Sequence, residues 1–102
     1  MPLSAEQRRE YRAIAHHLKP VIIIGDNGVS DALVQELERA LNDHELVKIK
    51  VSSTEREERQ EAIEAACRAT GAELVQTIGK MAILLRRAAD PNPKLSNLRN
   101  QG

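Results

Sequence analysis

The sequence predicts an α/β two-layer fold in the order αβαβαββ, with helices packed on a four-stranded mixed sheet. Three observations carry this. Apolar residues recur at helical spacing in three stretches, and alternate or run together in four shorter ones. Glycine, proline and short polar clusters separate the stretches. Helical and strand patterns alternate until the end, where two strand patterns flank Gly79-Lys80. Right-handed β–α–β crossovers then make strands 1, 2 and 3 parallel, and the closing hairpin makes strand 4 antiparallel to strand 3.

Leu3 to Leu18 reads as helix 1. Ser4 caps it, with Gln7 as the capping-box partner, and Tyr11, Ile14, Ala15 and Leu18 form its apolar stripe. At ~100° per residue, Arg8, Arg9, Arg12, His16 and Lys19 gather on the flank beside that stripe. Lys19-Pro20 ends the helix, because the residue before proline is pushed out of the α region. Val21-Ile22-Ile23-Ile24 follows as strand 1, its unbroken aliphatic run suiting burial on both faces.

Gly25-Asp26-Asn27-Gly28 is the next turn, its two glycines free to adopt angles other residues resist. Ser30 and Asp31 open helix 2, which runs to about Asn42 with Leu33, Val34, Leu37, Ala40 and Leu41 buried. Leu46 to Val51 alternates as a strand with one covered face, placing Lys48 and Lys50 beside Leu46 on the other. Thr54-Glu55-Arg56-Glu57 has capping-box form and starts helix 3, which ends at Thr70 before a Gly71 C-cap. Leu74–Ile78 and Met81–Arg86 are strands 3 and 4, joined by Gly79-Lys80 with glycine in the first central position.

A chain of 102 residues makes one domain, placed at residues 1–87. Residues 88–102, with two prolines and little hydrophobicity, read as a flexible basic tail. Formal net charge is zero, but its distribution is uneven. Residues 1–19 and 79–102 hold nine Lys/Arg, including Lys94 and Arg99, against three acids; residues 20–78 hold six against twelve. A neutral protein built this way can still present a basic face. Tyr11 is the only aromatic, so base stacking on rings contributes little to any nucleic-acid contact. A single cysteine permits no internal disulfide, and no stretch reads as a signal peptide or membrane span; the expected location is the cytoplasm.

Parallel strands 1, 2 and 3 would send their following loops to one end of the sheet. The glycine loop, Lys50 with Ser52 and Ser53, and the hairpin tip at Lys80 would share that end. Helix 1, if antiparallel to strand 1, would bring Arg8, Arg9 and Arg12 toward it. A helix N-terminus behind a glycine loop can approach a phosphate backbone, although the same pattern also makes an ordinary β–α turn. No nucleophile elbow, Walker loop or dinucleotide fingerprint is present. His16 and His17 point ~100° apart and make a poor metal pair, and Cys67 falls on the apolar side of helix 3 as an inert thiol. No catalytic residue, metal site or cofactor is expected.

Three blocks carry a family resemblance. They are Leu18-Lys19-Pro20 with the following aliphatics and Gly25-Asp26-Asn27-Gly28-Val29-Ser30; His44-Glu45-Leu46-Val47-Lys48-Ile49-Lys50; and Thr70-Gly71-Ala72 followed by Gln76-Thr77-Ile78-Gly79-Lys80. In this order they resemble the CRM domain (chloroplast RNA splicing and ribosome maturation) in its stand-alone bacterial YhbY form, from about Leu3 to Arg86. The resemblance implies a fold similar to the C-terminal domain of bacterial translation initiation factor three. It also implies RNA binding and a link to precursors of the large ribosomal subunit. It gives the GxxG loop, Gly25 to Gly28, as the RNA contact, with nearby basic residues helping. Two departures, Asp26 inside that loop and Leu84-Leu85-Arg86 where many relatives are expected to carry an aromatic before the arginine, together favour backbone and shape recognition over base reading, with Asn27 a usable donor.

The resulting expectation is a monomeric RNA-binding protein acting on ribosomal RNA in large-subunit assembly, with no membrane and no small-molecule substrate. Its site would comprise Arg8, Arg9, Arg12, Lys19, Gly25, Asp26, Asn27, Gly28, Lys50 and Lys80. The alternative is a protein-interaction module docking on a basic partner through acidic helix 3, with Glu57, Glu58 and Glu61 as contacts. A small enzyme acting on a phosphorylated ligand at the helix 2 N-terminus lacks a general base.

Overall fold

Seven elements follow one another in the computed structural model, which describes residues 3–98: α1 (Ala5–Ala15), β1 (Pro20–Ile24), α2 (Asp31–His44), β2 (Leu46–Val51), α3 (Arg56–Thr70), β3 (Glu73–Ile78) and β4 (Met81–Leu85). The sheet order is β1-β2-β4-β3. β1 runs parallel to β2, and β4 is antiparallel to both β2 and β3. Strands 1, 2 and 3 therefore point the same way, with β4 inserted between β2 and β3.

The helices divide between the two faces of the sheet. α2 and α3 bury Leu37, Leu41, Ile63 and Ala66 against Ile22, Ile24, Val47, Ile49, Val51, Ala82 and Leu84. On the other face α1 packs Tyr11 and Ala15 against Leu46, Val75, Ile83 and Leu85. The α/β class, element order and mixed sheet stand as expected, but the layers are helix, sheet, helix. β4 decides this: its buried residues alternate between the two clusters, so both faces need cover.

α1 lies over β2 and β3 rather than back along β1. β1, an edge strand by its place in the sheet, is consequently covered on one face only. Ile22 and Ile24 are buried, whereas Val21 and Ile23 are 47% and 63% exposed. This corrects the expectation that the aliphatic run is buried on both faces. A run of four aliphatics is the same in either setting, and only the position of α1 separates them.

Most helix starts follow local chemistry, whereas α1 closes at Ala15 with His16 at the cap, short of the expected stop at Leu18 and Lys19-Pro20. Ser4 and Gln7 form the reciprocal capping box of α1, and Ser30 Oγ accepts the Leu33 N–H at 3.2 Å to cap α2. Gly71 closes α3 with φ +75°. The α3 start differs from expectation. Thr54 does not cap it; Glu55 holds the cap position without a side-chain bond. Arg59 Nη1 instead donates to the carbonyls of Ser53 and Thr54, and Ser53 Oγ donates to Glu58. α2 ends at His44, two residues past the expected end at about Asn42.

Residues 88–98 depart from the expected flexible tail. Glu45, at φ 63° and buried, accepts the Ala88 N–H and the Ser96 hydroxyl through its two carboxylate oxygens. Asn97 Nδ2 donates to the Leu46 carbonyl, and Leu98 packs on the α1 cluster. Lys94 lies in this strap; Arg99 lies outside the described residues. A buried acid is inconspicuous in sequence, which is why the anchoring was missed. No helix among the described residues is long and apolar enough to cross a membrane.

A candidate nucleic-acid interface

The parallel strands β1, β2 and β3 end at one rim of the sheet, and hydrogen bonds tie their loops together there. The Ile24 carbonyl accepts both the Ser52 N–H, at 2.9 Å, and the Ser52 hydroxyl, at 3.0 Å. The Val51 N–H donates to the Lys80 carbonyl at 2.8 Å. The end of β1 leading into the glycine loop, the end of β2 and the hairpin tip are thus joined in one rim.

Within the loop, the Gly28 N–H closes on the Gly25 carbonyl at 3.0 Å. Gly28 takes φ +66°, a left-handed angle that favours glycine. Gly25 adopts no such angle, which corrects the expectation that both glycines are used for their freedom. Asp26 and Asn27 are exposed at the tip. In the hairpin, Gly79 has φ +56° and Lys80 does not share the left-handed region, as a two-residue turn with glycine first requires.

Below the rim, on the α1 side of the sheet, lies an open groove of about 360 Å³. Arg9, Arg12, Ala13 and His16 of α1 form one wall; Lys48, Gln76, Ile78 and Ile83 form the floor. No Asp or Glu lines it. Lys50 stands on the same face as Lys48, two residues nearer the rim, and is half-buried like it. Neither lysine is in an ion pair among the described residues. The acidic residues Glu57, Glu58, Glu61 and Glu64 lie on α3, across the sheet from this groove. α2 and α3 carry an excess of acids on that side, while the groove on this side is lined by Arg9, Arg12 and Lys48 with no carboxylate. An arrangement of this kind attracts a polyanion to one side and orients it.

A family model for the CRS1/YhbY (CRM) domain matches residues 3–86. The chain belongs to the CRM family. Among its relatives is a protein of Pseudomonas aeruginosa described as a probable RNA-binding protein, 46% identical over 98 residues, covering 96% of this chain and 94% of the relative. A protein of Haemophilus influenzae described as RNA-binding is 42% identical, covering 91% and 94%. A solution structure of a hypothetical protein from Staphylococcus aureus, described as a candidate RNA-binding protein, shares the fold at a TM-score of 0.76. It is 30% identical and covers 87% of this chain and 93% of that one.

The expected site residues of this CRM domain do not all converge. Arg9 and Arg12 reach the groove, Lys50 shares its sheet face, and Gly25, Asp26, Asn27, Gly28 and Lys80 are at the rim. Arg8 is elsewhere: its Nη1 donates to the Leu74 and Val75 carbonyls at 2.8 and 2.9 Å. Those carbonyls flank a bulge in β3, where the ladder register shifts and the chain leaves groups to be satisfied. Arg8 is therefore an anchor of α1 on β3. Lys19 precedes the start of β1, the opposite end of that strand from the glycine loop, ~20 Å of extended chain away.

Two further groove residues lie outside the expected site set, His16 and Lys48. The helical wheel places His16 on the basic flank, and strand alternation places Lys48 beside Lys50. What was lacking was the partial cover by α1. A larger hollow of about 430 Å³ sits at the other end of the sheet, lined by Leu3, Gln7, Glu73, Arg86 and Arg87 among others. Its arginines have structural partners. Arg86 bonds Glu38, Asn42 and the Thr70 carbonyl, and Arg87 bonds the Tyr11 hydroxyl. Among the described residues no group of three His, Cys, Asp or Glu is placed to hold a metal ion.

Proposed function

We propose that this chain binds RNA, that its RNA is ribosomal, and that it assists assembly of the large ribosomal subunit as a cytoplasmic monomer without catalysis. The carrying observation is the groove in which Arg9, Arg12, His16 and Lys48 converge without a carboxylate, on the same sheet face as Lys50 and below the rim that bears Gly25–Gly28. The relatives described as RNA-binding support the polyanion, and the resemblance to stand-alone bacterial CRM proteins supports the ribosomal assignment. Arginine and lysine side chains would neutralise phosphates while the loop backbone lies against the strand.

The test is in-cell crosslinking followed by sequencing of the bound RNA. It compares the native chain with a variant carrying Gly28→Asp and Arg12→Glu, the fold of each checked by circular dichroism. Loss of ribosomal RNA crosslinks in a folded variant is the expected result. Equal crosslinking by both, or bound RNA that is not ribosomal, would remove the proposal or its ribosomal part. Reversing Glu57, Glu58 and Glu61 should leave the crosslinks in place, since they lie across the sheet. A loss there would favour docking through α3.

A further inference from the structure

The registers of the four strands place two rungs of side chains across the α1 face. Ile23 pairs with Lys50, Lys50 with Met81, and Met81 with Ile78. The next rung is Pro20, Lys48, Ile83 and Gln76. Residues paired side by side point to the same face of a sheet, so each rung is a continuous row. α1 covers the rung beyond these, at Leu46 and Leu85, reaches Ile83 of the second rung, and goes no further. The first rung is left open: Ile23 is 63% and Ile78 57% exposed. Across four strands it spans ~14 Å.

An aliphatic row on a sheet face is normally covered, and exposed apolar patches rimmed by polar groups mark binding surfaces. The chemistry of the rim says what covers this one. Lys50 stands between Ile23 and Met81, Lys48 stands one rung below, and Arg9, Arg12 and His16 form the bank opposite. A second copy seated face to face would bring these lysines and arginines together without a carboxylate to meet them, which like-charge repulsion opposes. The occupant needs flat apolar surface and regularly spaced negative charge in the same strand.

Resting on the RNA-binding reading above, we propose that the open rung Ile23–Lys50–Met81–Ile78 is a platform for unpaired nucleobases of single-stranded RNA, with Lys48, Lys50, Arg9 and Arg12 holding the adjoining phosphates. Bases pack their faces on the aliphatic side chains, as they do on aromatic rings in other sheet-based binders. With no Phe or Trp in the chain and Tyr11 buried, His16 on the bank is the one ring lining the groove, and isoleucine and methionine supply the flat face of the rung itself. Contact through base faces tolerates any sequence, in keeping with recognition that does not read base edges.

The test uses four labelled probes: twelve-residue oligouridylate and oligoadenylate, an abasic twelve-residue ribose-phosphate strand, and an RNA duplex. Binding of the native chain is compared with the double variant Ile23→Ser, Ile78→Ser and with the conservative Ile23→Val. Both altered positions are exposed, so the fold should hold, and a melting curve checks it. The double variant should bind the two base-bearing single strands ~10-fold more weakly, with the abasic strand and duplex unchanged and the salt slope intact. Ile23→Val should retain native affinity. In the native chain, methyl resonances of Ile23 and Ile78 should move upfield on adding oligoadenylate, a ring-current effect that electrostatic contact does not produce.

Unchanged binding by the double variant, or an equal loss on the abasic strand, overturns the platform and leaves RNA binding standing. A native dimer that the double variant converts to monomer also overturns it, by showing that the row is a self-interface. If the native chain binds none of the four probes, the RNA-binding reading falls first and the platform with it.

Discussion

Glu45 Oε1 accepts the Ser96 hydroxyl at 2.7 Å in a site where Ser96 is 0% and Glu45 3% exposed. Fifty-one residues separate the two, and the bond fastens the C-terminal strap to the junction of α2 and β2. Replacing Ser96 with Ala removes a donor to a buried carboxylate, at a cost of ~1–3 kcal/mol. For a domain of this size, each ~1 kcal/mol lowers the melting midpoint by ~4–8 °C. Thermal unfolding followed by circular dichroism reads this directly, and a midpoint within a degree of native would show that the strap is not coupled to the core.

Gly28 and Gly25 should respond differently to the same substitution. Gly28→Ala forces an L-residue to φ +66° and should cost ~1–2 kcal/mol. Gly25→Ala meets nothing within 4 Å and has no left-handed angle to hold, so its effect should stay within ~0.5 kcal/mol. Urea unfolding midpoints of the two variants separate the cases. Equal losses would contradict the loop geometry.

Arg86 joins three elements. Its guanidinium donates to the Glu38 carboxylate at 2.8 Å, the Glu38 carbonyl, the Asn42 side chain and the Thr70 carbonyl. Arg86→Ala should cost ~2–4 kcal/mol, since it strands several acceptors at once. Arg86→Lys should recover only a minority of that, because an ammonium cannot reproduce the planar fork. Chemical denaturation of the pair checks the ranking.

Salt dependence should sort the arginines of α1. Arg9→Gln and Arg12→Gln should each lower the slope of log affinity against log salt by ~0.7 for single-stranded RNA, as should Lys48→Gln. Arg8→Gln should leave the slope alone and lower the melting midpoint, because its Nη1 holds the β3 bulge. A slope change for Arg8 equal to that for Arg12 would return Arg8 to the binding set.

Cys67 is half-buried, and burial together with the nearby Glu64 carboxylate pushes its thiol pKa up. A raised pKa means less thiolate at a given pH, and the thiolate is the reactive form. At pH 8, alkylation by iodoacetamide should be slower in the folded chain than in urea. Equal rates in both states would show that the thiol is not protected.

Seven elements, their order, the parallel set of β1, β2 and β3, and the caps at Ser4, Ser30 and Gly71 are legible in the chain alone. These depend on periodicity and on local backbone chemistry, which a single chain displays without reference to anything distant. The sequence also marks the glycine loop and the basic flank of α1. The tertiary structure alone decided that α1 crosses β2 and β3 and leaves β1 half bare, that Arg8 turns inward, that Lys48 turns into the groove, and that Glu45 holds residues 88–98. Each of these depends on which faces meet across long sequence separations. Hydrophobic pattern says that a face is apolar, but only packing says whether another element reaches it. The difference between the Ile23 of the open rung and the Ile24 of the core is one step along a strand and one layer in the fold.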